Sequence, residues 1–564
     1  MNRKALLSLL MMLGVALSAP AQTSTVTVEK PYFRWLFGGF GFQHSEANFG
    51  ALMSDEFKYQ RALKAFAEIS PSFGRVYTGF ADQSHEQMDR FADYYSQTFA
   101  KAGTILYAVP GALVCRPEDD TIKPDDYAEK VAVSLDYLVK EKGCRSLRYY
   151  CLSNELMAGD RWGWFDSAGR MDLFKTWNIA LYNAFRRHGL DLLLIGSDKS
   201  AMPDEAMEVQ KWVADNMDDW LGAYVTHWYV YGYPVDRLDM WETYHKQFEG
   251  QVQLALSKGK RYILGEYGYC PVFGGKGVMI DDVGASFRQK ETAAESALCK
   301  CEVGLAAMNA GAYGCISWSF LDYPDPFNRE DGNSEMDHAR YEAGLCAYRP
   351  DLKYNKWGMI HWSDVDRDYS ATPELYSLGY LAKFFRKGAT VLKCASDNPL
   401  VRTGAVIYPD RSFCIALINR GEATDVTVDC SSWALDPKND TFSKSARRYV
   451  YEAANPPFNE FNDLQPCSGT VTANDGKLTV KLPAHSMTFL TTDYTDRTPS
   501  RIGGVKVKDG KLVWNPCADK EHRYYRVFRD GKQIASTVAT ELALNSAGGN
   551  FTVKSVDAWG NVGD

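Results

Sequence analysis

Tyr149-Tyr150-Cys151-Leu152-Ser153-Asn154-Glu155 is an apolar run that ends in an amide and a carboxylate. It reads as a buried strand whose C-terminal tip carries chemistry. On either side of it, from residue 32 to about 387, short apolar strands alternate with amphipathic helices, and eight such pairs can be counted. That alternation implies a parallel sheet, and eight pairs in about 350 residues imply one (β/α)8 barrel with insertions. The run is then strand four, and its tip lies on the face where barrels carry their active sites. A doubly wound sheet is the rival reading, but the Gly-rich phosphate fingerprint it would need after strand one is absent.

The other strands read as Tyr32 to Phe42, Arg75 to Gly79, Thr104 to Val109, Leu190 to Gly196, Gly222 to Tyr231, Arg261 to Gly268 and Gly314 to Phe320. The third helix illustrates the punctuation: Pro124 opens it, Val131, Leu135 and Leu138 repeat at helical spacing, and Gly143 stops it. Two long connections, 269–285 and 321–371, leave the catalytic face and are expected to wall a cleft.

Beyond Gly388 the helical signal ends. Short alternating segments across 388–495 read as a β-sandwich, and the alternating run Ser24 to Glu29 is expected to add a strand to it. Residues 496–564 follow a linker-like Asp496-Arg497-Thr498-Pro499. With Trp514 as core aromatic, Asp530-Gly531 as hairpin turn and Asp557 to Asn561 before a last strand, they resemble a bacterial fibronectin type III module, read first as a spacer or stabilising unit. The expected organisation is a leader over 1–21, a strand-bearing segment 22–31, the barrel 32–387, the sandwich 388–495 and the module 496–564.

The leader is read from Arg3 and Lys4, the apolar stretch Ala5 to Leu17 and the small-x-small site Ala19-Pro20-Ala21. It implies export to a periplasmic or extracellular destination, and no later run has transmembrane length. A net charge of −8 argues against nucleic acid as a partner. The 13 cysteines form neither a dense disulfide framework nor a zinc-ribbon spacing, so no metal or organic cofactor is expected, and Cys299 and Cys301 read as buried small residues. Oligomeric state is not encoded in these features. Aromatics are 13% of the chain, a surplus that suits sugar-stacking surfaces as well as cores.

Two glutamates end strands about 110 residues apart, Glu155 on strand four and Glu266 on strand seven. Cleaving a glycosidic bond needs one carboxylic acid to protonate the leaving oxygen and one carboxylate at the anomeric carbon, and carboxyls roughly 5–5.5 Å apart give retention. Asn154-Glu155, Glu266, Arg75 on strand two, His227-x-Tyr229 on strand six and Trp318 on strand eight together resemble the retaining clan A glycoside hydrolases. The resemblance implies that Glu155 is the acid/base and Glu266 the nucleophile. It further implies that Asn154 bonds the sugar hydroxyl beside the anomeric carbon, that Tyr229 and Arg75 hold Glu266, and that Trp318 floors the first subsite. His44, after the Gly-rich end of strand one, is a candidate hydroxyl contact, and Trp162, Trp164, Trp228 and Tyr231 are candidate stacking rings.

The expected activity is retaining hydrolysis of a β-linked oligo- or polysaccharide, leaning to endo action. An exo-acting enzyme of the same clan, a transglycosylase and a glycan-binding protein without catalysis are the alternatives.

Overall fold

The computed structural model describes residues 23–29, 36–45, 56–77, 80–81, 83–110, 123–155, 170–200, 203–231, 240–270, 290–322, 358–363, 368–434 and 444–564. The expected leader, Trp162 and Trp164, and most of both long connections lie outside them.

Eight parallel strands close into a barrel: Gly39–Ser45, Phe73–Tyr77, Ile105–Val109, Leu147–Cys151, Leu193–Ser200, Leu221–Tyr231, Arg261–Cys270 and Gly314–Ser317. Side chains alternate across each strand. One parity, including Phe73, Tyr107, Val109, Tyr149, Cys151, Ile195, Val225, Ile263 and Ile316, fills the interior. The other, including Val76, Ala108, Tyr150, Leu194, Tyr224 and Leu264, packs under the helices. Strand one runs so close to strand two that a Cβ on Gly41 would lie 1.6 Å from the Phe73 carbonyl oxygen, so only glycine fits there. The helices begin where local chemistry allows. Ser84 and Gln87 form a reciprocal capping box, and Pro124 opens its helix followed by Asp125 and Asp126.

Strands five and seven each carry an extra residue near the mouth, and both position chemistry. Between strands six and seven, Thr226 pairs with Leu264 but His227 pairs with Glu266, leaving Gly265 as an extra residue. Between strands five and six, Ser197 pairs with Val225 and Lys199 with Thr226, leaving Asp198 extra. Such bulges re-aim side chains.

The β-sandwich packs a seven-stranded sheet on a four-stranded one. Its core includes Val26, Val28, Phe413, Ile415, Leu417, Val426, Val428, Leu478 and Val480. Ser24–Val28 lies between Cys394–Ser396 and Thr424–Asp429, hydrogen-bonded to both. The barrel's first strand starts later than its sequence suggests. Leu36–Phe37 leaves the barrel and pairs with Ala389 and Thr390 at the edge of the seven-stranded sheet, because the left-handed Gly39 (φ 111°) breaks the strand in two. Residues 506–557 form two three-stranded antiparallel sheets around Leu512, Trp514, Tyr525, Val527 and Val553. This last unit is docked, with the Tyr524 hydroxyl donating to Glu68 of the first barrel helix at 3.1 Å. Among the described residues no helix is long and apolar enough to cross a membrane.

Candidate active site

The centre of the mouth is Arg75, on the inward parity of strand two and with no solvent exposure. Its guanidinium reaches four elements. Nη1 donates to Gln43 Oε1 at 2.8 Å and to Glu266 Oε2 at 2.9 Å, and Nη2 donates to Asn154 Oδ1 at 2.5 Å and Asp198 Oδ2 at 2.7 Å. Tyr77 and Tyr107 flank it with ring centroids 5.3 and 5.5 Å from its central carbon. A charge so far from water is tolerated because carboxylates and fixed acceptors surround it.

Glu266 projects inward only because of the bulge at Gly265. A Cβ on Gly265 would come within 2.3 Å of Val225 and 2.5 Å of the Tyr107 hydroxyl, so glycine is required for the strand to turn its next residue inward. The Tyr229 hydroxyl donates to Glu266 Oε1, while Arg75 holds Oε2. Glu155 follows strand four at φ 48°, a left-handed conformation that side-chain-bearing residues seldom adopt. Its Oε1 lies 3.3 Å from His227 Nδ1. Ligand-capable atoms of Glu155, His227 and Glu266 all fall within 4.8 Å of one another. Oxygens of the two carboxyls thus approach one another across the mouth.

His227 lies between them. Nε2 donates to Asp198 Oδ1 at 2.9 Å, and Nδ1 faces Glu155 Oε1 and, at 3.8 Å, Glu266 Oε2. Burial alone would lower the imidazole pKa, but the charges of Asp198 and Glu266 outweigh it and push the value up to about 10. A ring raised in this way carries hydrogen on both nitrogens and can donate to carboxylates on both sides. Asp198 goes the other way: burial opposes ionisation, yet Arg75 and His227 hold its carboxyl down at about 2. Glu266 is raised above the usual carboxylate range by burial, partly offset by His227 and Arg75.

Trp318 is half-buried beyond strand eight, edge-on to Tyr77 at 6.0 Å. Seven of the eight candidate residues are thus gathered at the mouth. His44 is the exception and is corrected: it shares the outward parity of Phe40 and Phe42. It lies buried under the helices among Phe66, Phe99 and Phe320, with Nδ1 2.9 Å from the Tyr94 hydroxyl. Its neighbour Gln43 has the inward parity and touches Arg75. Trp228 is likewise turned to the helix layer, against Tyr244 and Phe248. The sequence reading missed Gln43, Tyr77, Tyr107 and Asp198. Tyr77 and Tyr107 could have been found by extending the parity of Arg75 and Phe73 along and across the sheet.

No family model and no curated protein matches the sequence. Solved structures do match. A bacterial orthologue of human α-L-iduronidase superposes with a TM-score of 0.56 at 15% identity, over 96% of this chain and 98% of its own. The catalytic domain of a glycoside hydrolase family 30 xylanase C from Talaromyces cellulolyticus gives 0.53 at 15%, over 83% of this chain and 100% of that one. The chain has the (β/α)8 barrel fold of these structures. An endo-β1,6-glucanase gives 0.51 at 12%, over 84% and 95%. At these identities the likeness is one of fold, and with the iduronidase orthologue it extends past the barrel into the β domains.

Proposed function

We propose that the protein is a retaining glycoside hydrolase acting on β-linked oligo- or polysaccharides, exported, and of endo action. The observation that carries this reading is the facing pair Glu155 and Glu266, with atoms within 4.8 Å of each other and Glu266 clamped by Tyr229 and Arg75. Glu266 attacks the anomeric carbon to give a glycosyl ester, while Glu155 delivers its proton to the departing oxygen. Glu155 then takes a proton from the water that releases the sugar. Arg75 fixes the Asn154 carbonyl oxygen, leaving the Asn154 amide N–H groups for the substrate hydroxyl beside the anomeric carbon. Trp318 and Tyr77 supply ring surface for a pyranose face. Fold likeness to a xylanase, a glucanase and an iduronidase orthologue supports glycosidase chemistry and names no single sugar. The aromatic mouth and the appended β domains support polymeric substrates.

The test is hydrolysis of xylan, mannan, β-glucans and aryl β-glycosides by the secreted protein, with product anomers followed by NMR. Release of oligosaccharides with retained configuration is expected. Inverted products would sink the double-displacement reading, and release of monosaccharide units alone would sink endo action.

The raised Glu266 carboxyl gives a pH prediction. The nucleophile must be ionised, so kcat/KM falls as pH drops through the Glu266 pKa, and that acid limb lies above the ordinary glutamate range of about 4.3. The pH profile of kcat/KM measures it, and a limb at or below that range would refute the assignment.

A further inference from the structure

We propose that Asp198 is a positioning residue that holds His227 as a permanent cation shared by Glu155 and Glu266, so that the charge passed between those carboxyls in each turnover keeps one counter-ion. The inference rests on the glycosidase reading and adds to it a residue outside the expected set.

Asp198 is the extra residue of the strand-five bulge, fully buried and held at φ 53°. A carboxylate in a left-handed backbone inside a barrel costs conformational energy and desolvation together, and it persists only where its partners compensate. Its two oxygens are divided between two cations: Oδ1 accepts from His227 Nε2 at 2.9 Å and Oδ2 from Arg75 Nη2 at 2.7 Å. The anion fixes a hydrogen on Nε2. On the other side of the ring, the partners of Nδ1 among the described residues are carboxyl oxygens, Glu155 Oε1 at 3.3 Å and Glu266 Oε2 at 3.8 Å. Once Glu155 has given up its proton, a bare Nδ1 lone pair would be repelled by its ionised oxygen 3.3 Å away, so the geometry of the glycosyl-ester state calls for a second hydrogen and a charged ring. The upward displacement of the imidazole agrees with this.

Charge conservation follows. Before reaction, Arg75 and His227 are positive, Asp198 and Glu266 are negative, and Glu155 carries its proton, so the buried cluster is neutral. When Glu266 becomes a glycosyl ester it loses its charge, and Glu155, having given its proton to the leaving group, becomes the anion. The cluster is neutral again. The negative charge has moved from one side of the Nδ1 hydrogen to the other, without a new ion being created in a dry site. Were His227 neutral, one half of the cycle would leave an anion there without its partner. Among the described residues, the tyrosines on this cluster, Tyr77 from strand two, Tyr107 from strand three and Tyr229 from strand six, stay neutral because burial raises all three.

Asp198→Asn keeps the shape and an acceptor for Arg75 while removing the anion. With histidine labelled by 15N, the wild-type His227 ring is expected to keep both nitrogens protonated from about pH 6 to about pH 9, and in Asp198→Asn to titrate near its ordinary value of about 6.5. His227→Gln assigns the resonance. On a hydrolysed substrate, Asp198→Asn should lower kcat on the order of 10²-fold with KM little changed and displace the pH profile, because Asp198 touches no sugar. A wild-type ring that titrates near neutrality overturns the proposal, and so does an Asp198→Asn enzyme with the parental kcat and profile. The wild-type titration needs neither turnover nor a folded variant. A protein that hydrolyses no glycan yet keeps a charged His227 would refute the glycosidase reading and leave the Asp198–His227 pairing standing.

Discussion

Replacing Glu266 by alanine should lower turnover on the order of 10⁴-fold or more on every substrate, because it removes the carboxylate that forms the glycosyl ester. Glu155→Ala should behave differently. Its loss removes protonation of the leaving group, so the first step slows by about 10²- to 10⁴-fold for sugar leaving groups and far less for activated aryl ones. The second step, which needs Glu155 as base, then becomes limiting, and a glycosyl ester on Glu266 should accumulate. Azide should rescue both variants with opposite stereochemistry. In Glu155→Ala it attacks the ester and gives a β-glycosyl azide. In Glu266→Ala it occupies the space of the missing carboxylate beside Arg75 and Tyr229 and gives the α-anomer. Steady-state kinetics on aryl glycosides, mass spectrometry of the intact variant and NMR of the azide product read these outcomes. A Glu266→Ala protein with undiminished rate, or the same azide anomer from both variants, would remove Glu266 from the nucleophile role.

The barrel was legible because a parallel sheet buried on both faces leaves a coarse mark, apolar strands alternating with amphipathic helices. That mark survives errors of a few residues at each boundary. Glu155 and Glu266 were found as carboxylates ending expected strands, and Arg75 and Tyr229 through the resemblance to the clan A glycoside hydrolases. What stayed hidden depends on register, which single residues alter. His44 and Gln43 are adjacent, and only the parity fixed by Phe40 and Phe42 sends the first outward and the second to Arg75. Asp198 was missed because Ser197-Asp198-Lys199-Ser200 has the composition of a loop, whereas it continues strand five through a bulge. The one sequence trace of such a device was Gly265, which precedes Glu266 in a run otherwise rich in large side chains. The split of the first strand at Gly39 was also unreadable, since Leu36–Phe37 has ordinary strand composition and its partner, Ala389–Thr390, lies far away at the other end of the barrel sequence.

The C-terminal unit has a comparable hidden feature, and it yields the largest expected change in stability. Lys64, on the first barrel helix, is fully buried. Its ammonium donates to Glu68 Oε2 at 2.7 Å and to the Asn462 carbonyl at 3.0 Å, pairs with Asp463 Oδ1 at 2.5 Å and sits 4.7 Å from the centre of the Tyr524 ring. It thus joins the barrel, an excursion from the sandwich and the last unit. Arg526 of that unit also pairs with Asp463, at 3.1 Å. Lys64→Met keeps the length of the side chain and its packing but leaves Glu68 and Asp463 facing each other with one cation fewer. Breaking a buried pair from one side costs about 3–5 kcal/mol. Asp463 is held below the usual carboxylate range by Lys64 and Arg526 against the effect of burial. Its contribution is therefore complete above the unfolded carboxylate range and is lost as pH falls through its lowered value, so the difference between parent and variant should shrink in acid. Urea midpoints across pH measure the cost, and limited proteolysis at Asp496 to Ser500 measures whether the last unit has come loose. A unit that were only a tethered spacer would leave both readouts unchanged in Lys64→Met. Docking through Lys64 instead requires a lower midpoint and faster cleavage, with kcat on small aryl glycosides preserved because the catalytic mouth contributes none of the groups that Lys64 contacts.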